Sequence, residues 1–455
     1  KKILLLAFIS TFGTSHLIGI ENAMSHKDNP IRKEKNLETE VEKEGTWSSI
    51  KELINYWASY NLFDVGKNED YNMSEDKVEN NNEEIAQTTE YKKIRATILN
   101  AAIGDALGRI TEFTPTNTQN IKKLKQAYHK TYKFAPYTDD TLLAQVVLNA
   151  CLNNKSEEKI IDQIAREIAT IVGPKKLTID PLFYVRAHGL GVQESGKKLF
   201  NLITEKKDTA TEWWKERDNQ LSFDAKKRQA GCGTVMRAWP IGLLFSDPEK
   251  IIRLARNQSI LTHSHPMTHA ASAALAVGIY YARTGSSIEE IIEKIIETAE
   301  QFDDEEKPFK PNAEKITDEI KLTKKLLIKD KLLTSDLIRF AYKQARNGKK
   351  PAEVLGTNND QNNAFRSPNG FLRGWAADEA IASAVYLFAR NKNNIQKAMY
   401  EGVNTPGDSD SIATLAGALI GAYSGNLYMD KNLDLLEKRK LLEKRALEIT
   451  NSISQ

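Results

Sequence analysis

Two short acidic motifs, both rich in oxygen ligands, stand at the start of apolar segments with helical spacing. The first lies in YTDDTLLAQVVLNACL and the second in NTPGDSDSIATLAGALIGAYSG. The candidate oxygen ligands, here called the six oxygen-bearing residues, are Thr138, Asp139, Asp140, Asp408, Asp410 and Ser411. Helix capping explains either motif alone, because hydroxyl and carboxylate oxygens accept free backbone N–H groups and acids favour a helix N-terminus.

The two motifs together predict a metal centre. A helical bundle can bring helix ends together, and two carboxylates held 4 Å apart repel each other by roughly 4 kcal/mol at an effective dielectric of about 20. Divalent cations remove that repulsion, and carboxylate and hydroxyl oxygens suit magnesium or manganese better than zinc or copper. So many acids predict two ions, either Mg²⁺ or Mn²⁺.

Two further segments are candidates for the same site. In NAAIGDALGRITEF, Glu112 follows the predicted end of a helix, at a distance that would let it close over the acidic cleft. In RQAGCGTVMRAWPIGLLF, Gly231 and Gly233 would let backbone N–H groups approach a phosphate closely. A tight turn at a helix entry is the alternative explanation for these two glycines.

The histidines of QSILTHSHPMTHAASAALA favour a ligand contact over a zinc site. Positions two apart, such as His263 and His265, point to different sides, and no acid follows nearby. We expect His263 to contact the ligand, whereas His265 and His269 are equally well explained as buried histidines. Pro266 is expected to begin a helix.

The elements that must position these residues are helices. From residue 91 onward, one segment after another has apolar residues at three-to-four spacing, and alternating strand patterns are almost absent. The fold class is therefore predicted as all-α over residues 91–450. The charged stretch 303–350 is predicted to be a solvated insertion or an outer helix pair.

Composition excludes several classes of protein. The chain has 455 residues, 40% of them hydrophobic, with a net charge of +3 from 64 basic and 61 acidic side chains. This balance gives no argument for a nucleic-acid partner. Two cysteines, Cys151 and Cys232, cannot form a disulfide framework, and away from the N-terminus no apolar run is long enough for a membrane span.

The N-terminal region differs from the rest. Two lysines, an apolar run and small residues make residues 1–25 similar to a secretory signal peptide. Residues 26–90 are polar and are predicted to be a linker-like extension. Export, with action in a host cell, is the expectation from this pattern. A buried amphipathic helix in a cytoplasmic protein is the alternative.

In their order along the chain, GDALG with EF, YTDDT, GCG with MR, LTHSHP and GDSDS resemble the motifs of the ADP-ribosylglycohydrolase family. The resemblance implies a compact, orthogonal all-helical domain with a binuclear metal centre that cleaves a glycosidic bond of ADP-ribose. It places the six oxygen-bearing residues at the metal positions. It also implies that Asp140, or second Glu112, activates a water or handles the leaving-group proton.

The resemblance also implies a substrate pocket. Gly231, Cys232 and Gly233 match the loop that embraces ADP-ribose, and His263 matches a pocket histidine. The segment GFLRGWAADEA departs from the family pattern, and its Trp375 and Asp378 are expected to line the pocket wall.

Cys232 within GCG, and serine in GDSDS, resemble the ADP-ribosylarginine hydrolase branch. The expected substrate is therefore an ADP-ribosylated protein, modified on arginine, and the expected enzyme is a monomer. Alternatives are hydrolysis of serine-linked or small-molecule ADP-ribosyl conjugates, and a non-catalytic ADP-ribose-binding protein.

Overall fold

The computed structural model describes most of the chain downstream of residue 84. The described residues are 85–112, 127–172, 182, 186–205, 229–309, 332–356, 371–428 and 433–454. All of them belong to one compact unit, Phe63–Gln455. The predicted signal peptide (1–25) and nearly all of the polar extension (26–90) lie outside the described residues.

The described part of the chain is helical, with isolated β-bridges and no strand. Its α-helices are α1 (Thr89–Gly108), α2 (Asp139–Asn153), α3 (Glu157–Val172), α4 (Leu190–Glu205), α5 (Trp239–Leu244), α6 (Pro248–Ile260), α7 (Pro266–Thr284), α8 (Ile288–Glu300), α9 (Asp303–Glu306), α10 (Thr334–Arg346), α11 (Pro351–Val354), α12 (Ala377–Asn391), α13 (Ile395–Val403), α14 (Ser409–Ser424) and α15 (Arg439–Ser454). Short 3₁₀ helices are Cys232–Thr234, Lys307–Phe309 and Leu433–Leu435. The predicted all-α fold is confirmed.

Helices α1 and α14 form a closely packed antiparallel pair in the core. Small residues permit this approach: a Cβ placed on Gly104 would lie 2.6 Å from the Ala413 carbonyl, and one on Gly421 would lie 2.6 Å from the Ala96 carbonyl. The small residues of α14, among them Gly417 and Gly421, are therefore in contact with α1. Because the pair is antiparallel, the C-terminus of α1 meets the N-terminus of α14.

The remaining helices surround this pair. Helix α7 packs against α5, α6, α8, α12 and α14, and α2 packs against α3 and α5. Helix α7 begins at Pro266, as expected, with His265 as its N-cap. No helix among the described residues is long and apolar enough to cross a membrane.

Helix α10 lies within the stretch predicted to be a solvated insertion or an outer helix pair. It is a helix with a buried apolar face, on which Leu337, Ile338 and Ala341 are fully buried. Helix α10 packs against α12, and its apolar residues stand at helical spacing. The apolar face of α10 was not recognised from the sequence, because charged residues dominate the composition of 303–350.

Candidate active site

The first acidic motif forms the N-terminus of α2. Thr138 is the N-cap, and its side-chain oxygen accepts a hydrogen bond from the Asp140 backbone N–H at 3.3 Å. Asp105, on α1, holds this end: its carboxylate accepts from the Thr138 N–H at 2.8 Å and from the Thr141 hydroxyl at 2.6 Å. The capping expected from the sequence is confirmed, and α1 anchors it.

The second motif forms the N-terminus of α14, directly opposite. Asp408 is the N-cap, and the Ser411 N–H donates to Asp410 Oδ1 at 2.9 Å. The helix begins at Ser409, so Asp410 and Ser411 lie inside its first turn. The Thr138 hydroxyl donates to Asp410 Oδ2 at 3.4 Å, which joins the two motifs.

Glu112 completes a carboxylate cluster at this junction. One oxygen each of Glu112, Asp408 and Asp410 lie within 4.8 Å of one another. Glu112 is partly exposed, whereas the two aspartates are buried. The turn that carries Glu112 is fixed by Thr111, whose hydroxyl donates to the Val403 carbonyl at 2.6 Å.

The electrostatics of the cluster favour the binding of protons or cations. Burial, and then the charges of Asp410 and Asp408, raise the pKa of Glu112 to about 11. Burial, and then Asp410, raise the pKa of Asp140 well above its ordinary value, and the same two causes raise that of Asp105 to about 7. These carboxyl groups are therefore costly to ionise together unless a positive charge lies among them.

The donor set fits a hard divalent cation. The Oδ2 atom of Asp140 is buried without a hydrogen-bond partner, as expected of an oxygen that has a ligand to bind. All candidate donors are carboxylate or hydroxyl oxygens, which magnesium, calcium and manganese prefer. The residues that would hold the ions are Thr138, Asp139, Asp140, Asp408, Asp410 and Ser411, with Glu112 beside them.

The glycine loop lies against this cluster. The Cys232 thiol donates to Asp408 Oδ2 at 3.1 Å. On its other side the loop pairs with the predicted pocket wall: the Cys232 N–H donates to the Trp375 carbonyl at 2.9 Å, and the Ala377 N–H donates to the Ala230 carbonyl at 3.0 Å. The structure thus brings the loop, the wall and the second acidic motif together.

His263 is buried, and its ring lies beside the two glycines of the loop. A Cβ placed on Gly231 would be 3.6 Å from His263 Nε2, and one on Gly233 would be 3.1 Å from His263 Cε1. The ring is oriented by a 2.8 Å hydrogen bond between its Nδ1 and the Thr262 hydroxyl. A side chain would therefore crowd the ring at Gly233, whereas the distance at Gly231 is an ordinary van der Waals contact.

The other two histidines of that segment do not share the site. His265 caps α7 by accepting from the Met267 N–H at 3.2 Å, and His269 is buried with its Nδ1 3.9 Å from Glu305 Oε2. This agrees with the rejection of a three-histidine zinc site.

The wall residues differ in exposure. The Trp375 residue is 38% exposed, whereas Asp378 is buried in the first turn of α12, where its Oδ1 accepts from the Glu379 N–H at 2.8 Å. The Glu379 carboxylate in turn accepts from the Arg373 N–H at 2.9 Å, which fixes the approach to the wall.

Three residues around the first motif were not identified as site residues from the sequence. Asp105 lies within an apolar helical run, where an acid is a usable signal of a special role. The Arg186 carbonyl accepts from the Asp139 N–H at 2.8 Å, and His188 Nδ1 lies 3.6 Å from Asp139 Oδ2. Arg186 and His188 lie in RAHGLG, a segment without periodicity, and no sequence signal pointed to them.

In the described residues, two acidic helix N-termini converge beside a glycine loop. The fold and the site therefore define a helical protein with a candidate metal site built from oxygen ligands. The family model described as ADP-ribosylglycohydrolase matches residues 86–454. The chain therefore belongs to the ADP-ribosylglycohydrolase family and is a glycosyl hydrolase, as expected from its motifs. The family is metal-dependent and acts on ADP-ribosylated substrates.

Named relatives include ADP-ribosylhydrolase ARH3 from Xenopus tropicalis, 24% identical over 360 residues, covering 75% of this chain and 90% of the relative. The Homo sapiens ADP-ribosylhydrolase ARH3 is 26% identical over 306 residues, covering 64% and 71%. A solved structure titled ADP-ribosylglycohydrolase-related protein complex superposes with a TM-score of 0.49 at 20% identity, covering 80% of this chain and 99% of that one. Neither named relative is called an arginine hydrolase, so the arginine assignment is not confirmed.

Proposed function

We propose that this protein hydrolyses the glycosidic bond that links ADP-ribose to a modified protein side chain, using two divalent cations. The observation that carries the proposal is the carboxylate cluster: Glu112, Asp408 and Asp410 converge within 4.8 Å in a chain of this family. Every metal position implied by the motifs is occupied by an oxygen-bearing residue. That completeness argues against a binding protein that has lost turnover.

The two candidate catalytic carboxylates have different surroundings. When bound, divalent cations would fix the ribose hydroxyls and stabilise charge that develops at the scissile bond. Asp140 is buried and its Oδ2 accepts no hydrogen bond from the protein, which suits a residue that binds a metal ion. Glu112 is partly exposed, so it is better placed to exchange a proton with a water or a leaving group. We therefore propose Glu112 before Asp140 for the proton transfer, reversing the order inferred from the sequence.

The glycine loop and the wall would hold the remainder of the substrate. Backbone N–H groups near Gly231 and Gly233 would bind the pyrophosphate, with His263 beside them. We propose arginine as the modified side chain. The guanidinium of ADP-ribosyl-arginine carries its own proton at neutral pH, so it can leave as a neutral guanidine. A carboxylate in the wall would orient it through hydrogen bonds, and Asp378 is the candidate.

The test is mass spectrometry of peptides linked to ADP-ribose through arginine, serine or glutamate, after incubation with Mg²⁺ or with a chelator. We expect release that depends on metal and is fastest from arginine. Faster release from serine contradicts the linkage but leaves the glycohydrolase proposal standing. Full activity in chelator contradicts the metal centre, and binding of ADP-ribose without release from any conjugate favours the non-catalytic alternative.

Two variants make this test specific. Asp410→Ala removes a cluster carboxylate and should lower turnover by about 100-fold or more, the rate equivalent of a few kcal/mol of transition-state stabilisation. Asp304→Ala is the matched control, because the Asp304 side chain is 94% exposed and forms an ion pair with the nearby Lys307 on the surface. Turnover by the control should match the parent.

We also propose that residues 1–25 direct export and that the substrates are proteins outside the producing cell, such as those of a host. The support is the basic and apolar composition of this segment. N-terminal sequencing of secreted protein should find a start near Ser25. An intact N-terminus on protein recovered from the cytoplasm would contradict export.

A further inference from the structure

A buried ion pair lies behind the first acidic motif. Arg186 Nη2 is 2.7 Å from Glu437 Oε1, and Arg186 Nη1 is 2.8 Å from Glu437 Oε2. Both side chains are only 2% exposed, and 251 positions separate the two residues in the sequence. The geometry is bidentate, which fixes the orientation of the guanidinium as well as its place.

Arg186 contacts the acidic motif on two sides. Its Nη1 donates to the Tyr137 carbonyl at 2.6 Å, and its own carbonyl accepts from the Asp139 N–H at 2.8 Å. Its guanidinium also lies 4.7 Å from the centroid of the Tyr137 ring. One arginine therefore holds the residue before the Thr138 cap and the residue after it.

Glu437 is itself fixed by the same stretch of chain. The Ala135 N–H donates to the Leu435 carbonyl at 2.6 Å, and the Glu437 N–H donates to the Ala135 carbonyl at 3.1 Å. The segment that leads into α15 thus pairs with the segment that leads into α2. Through Arg186, this pairing determines how the first turn of α2 is presented.

We propose that Arg186 and Glu437 are positioning residues for the metal centre. A divalent cation requires its carboxylate ligands in a narrow geometry, and partners behind the ligands set that geometry. The Arg186 side chain donates to the Tyr137 carbonyl directly before Thr138, so its replacement would let the ligands of this turn rotate while the helices stay folded. The backbone bond between the Asp139 N–H and the Arg186 carbonyl would remain. The inference rests on the proposed metal dependence of the site.

The experiment replaces the pair with apolar side chains. In Arg186→Met with Glu437→Met, no unpaired buried charge remains, and such replacements often preserve the fold. The readouts are the Mn²⁺ dissociation constant from titration calorimetry and the melting temperature without metal. We expect Mn²⁺ binding to weaken by roughly 10–100-fold, the range typical of partners behind metal ligands. The melting temperature should change little.

The matched control is the pair Arg390 and Glu401, also an arginine–glutamate pair with largely buried side chains, on α12 and α13. Arg390→Met with Glu401→Met should leave the Mn²⁺ dissociation constant unchanged. Equal weakening in both double variants would show a general loss of stability and would overturn the inference. A folded Arg186/Glu437 variant that binds Mn²⁺ within about twofold of the parent would also overturn it.

A conservative variant covers the case in which the double variant does not fold. Arg186→Lys keeps the positive charge beside Glu437 but cannot supply the bidentate fork and the Tyr137 hydrogen bond together. Weakened Mn²⁺ binding in folded Arg186→Lys supports the inference, and unchanged binding overturns it. A parent protein that binds no divalent cation contradicts the metal centre itself, and the positioning role with it.

Discussion

At the scale of single residues, the carboxyl groups of the candidate site share a raised pKa. Burial and mutual repulsion raise the pKa of Glu112 to about 11 and that of Asp105 to about 7, and raise that of Asp140 well above its ordinary value. Without a cation, Glu112 and Asp140 therefore hold protons at neutral pH, and Asp105 is about half protonated. A cation that binds among them must displace some of those protons.

This property gives a pH dependence with a definite sign. Protons compete with the cation below the raised pKa values, so metal affinity should increase as the pH rises from about 6 to about 8, by up to roughly tenfold per pH unit for each proton released. Titration calorimetry in buffers of different ionisation enthalpy measures the protons released. Glu112→Gln should reduce that number by one. An affinity that does not vary over this pH range would contradict the assignment.

Local sequence chemistry predicted the acidic residues but not what supports them. Thr138 and Asp408 were recognisable because N-cap preference depends on neighbouring residues only. The role of Arg186 depends on Glu437, 251 positions away, and that of Asp105 depends on the packing of the C-terminal end of α1 against the start of α2. No single segment contains that information, since it arises from tertiary packing.

At the scale of helices, the contact of α1 with α14 sets the geometry of the cluster. A Cβ on Gly108 would lie 2.4 Å from Asp410 Cα and 2.5 Å from the Ser409 carbonyl oxygen. Both are backbone atoms that cannot move aside without shifting the start of α14. The glycine therefore fixes the distance between the turn that carries Glu112 and the aspartates.

Gly108→Ala should therefore weaken metal binding by more than its effect on the stability of the fold would explain. Overpacking of this kind costs roughly 1–3 kcal/mol, and the strain falls on the Asp410 backbone. The matched control is Gly421→Ala at the opposite end of the same helix pair, where the Cβ would meet Ala96 backbone atoms at 2.6 Å. We expect similar losses in melting temperature but weakened metal binding only for Gly108→Ala. Equal metal affinities in the two variants would contradict this.

Helix α3 carries a buried acid that has no part in the proposed reaction. Glu167 Oε1 accepts from the Gln163 side chain at 2.6 Å, whereas Oε2 is buried without a hydrogen-bond partner. Burial raises the pKa of Glu167 to about 8. The folded protein therefore keeps a proton there that the unfolded chain releases near its ordinary pKa.

The consequence for stability has a clear direction. The contribution of neutral Glu167 is fully present below its unfolded pKa and is lost as the pH rises towards about 8, at up to roughly 1.4 kcal/mol per pH unit. Glu167→Gln should therefore raise the melting temperature relative to the parent at pH 8 and have little effect near pH 4.5. Thermal melts of both proteins across this range provide the test, and a constant difference would contradict it.

The helices themselves were largely foreseeable, and the exception is instructive. Helical spacing of apolar residues predicted α2, α3, α7, α8, α12 and α14 from their own segments. For the region of α10 the sequence left two alternatives open, a solvated insertion or an outer helix pair, because the charged residues around Leu337 and Ile338 outnumber the apolar ones. Burial depends on the facing surface of α12, which the sequence of α10 does not reveal.

At the scale of the whole molecule, family membership and motif order agree while overall identity is low. The family model spans 86–454, and the named relatives are only 24–26% identical. The acidic motifs are read directly from the sequence because metal chemistry restricts their residue types. The wall around Trp375 and Asp378 is less restricted in residue type, so the sequence does not define the linkage that is cleaved.

The antiparallel pairing of α1 and α14 also has a consequence for the order of folding. The Ser409 hydroxyl donates to the Gly108 carbonyl at 2.8 Å across 301 positions of sequence. Contacts so distant form late, because closing long loops is entropically unfavourable and large chains fold through partly structured intermediates. During refolding from denaturant, helical circular dichroism should therefore recover before Mn²⁺ uptake, which would mark the moment when the two ends of the domain have met.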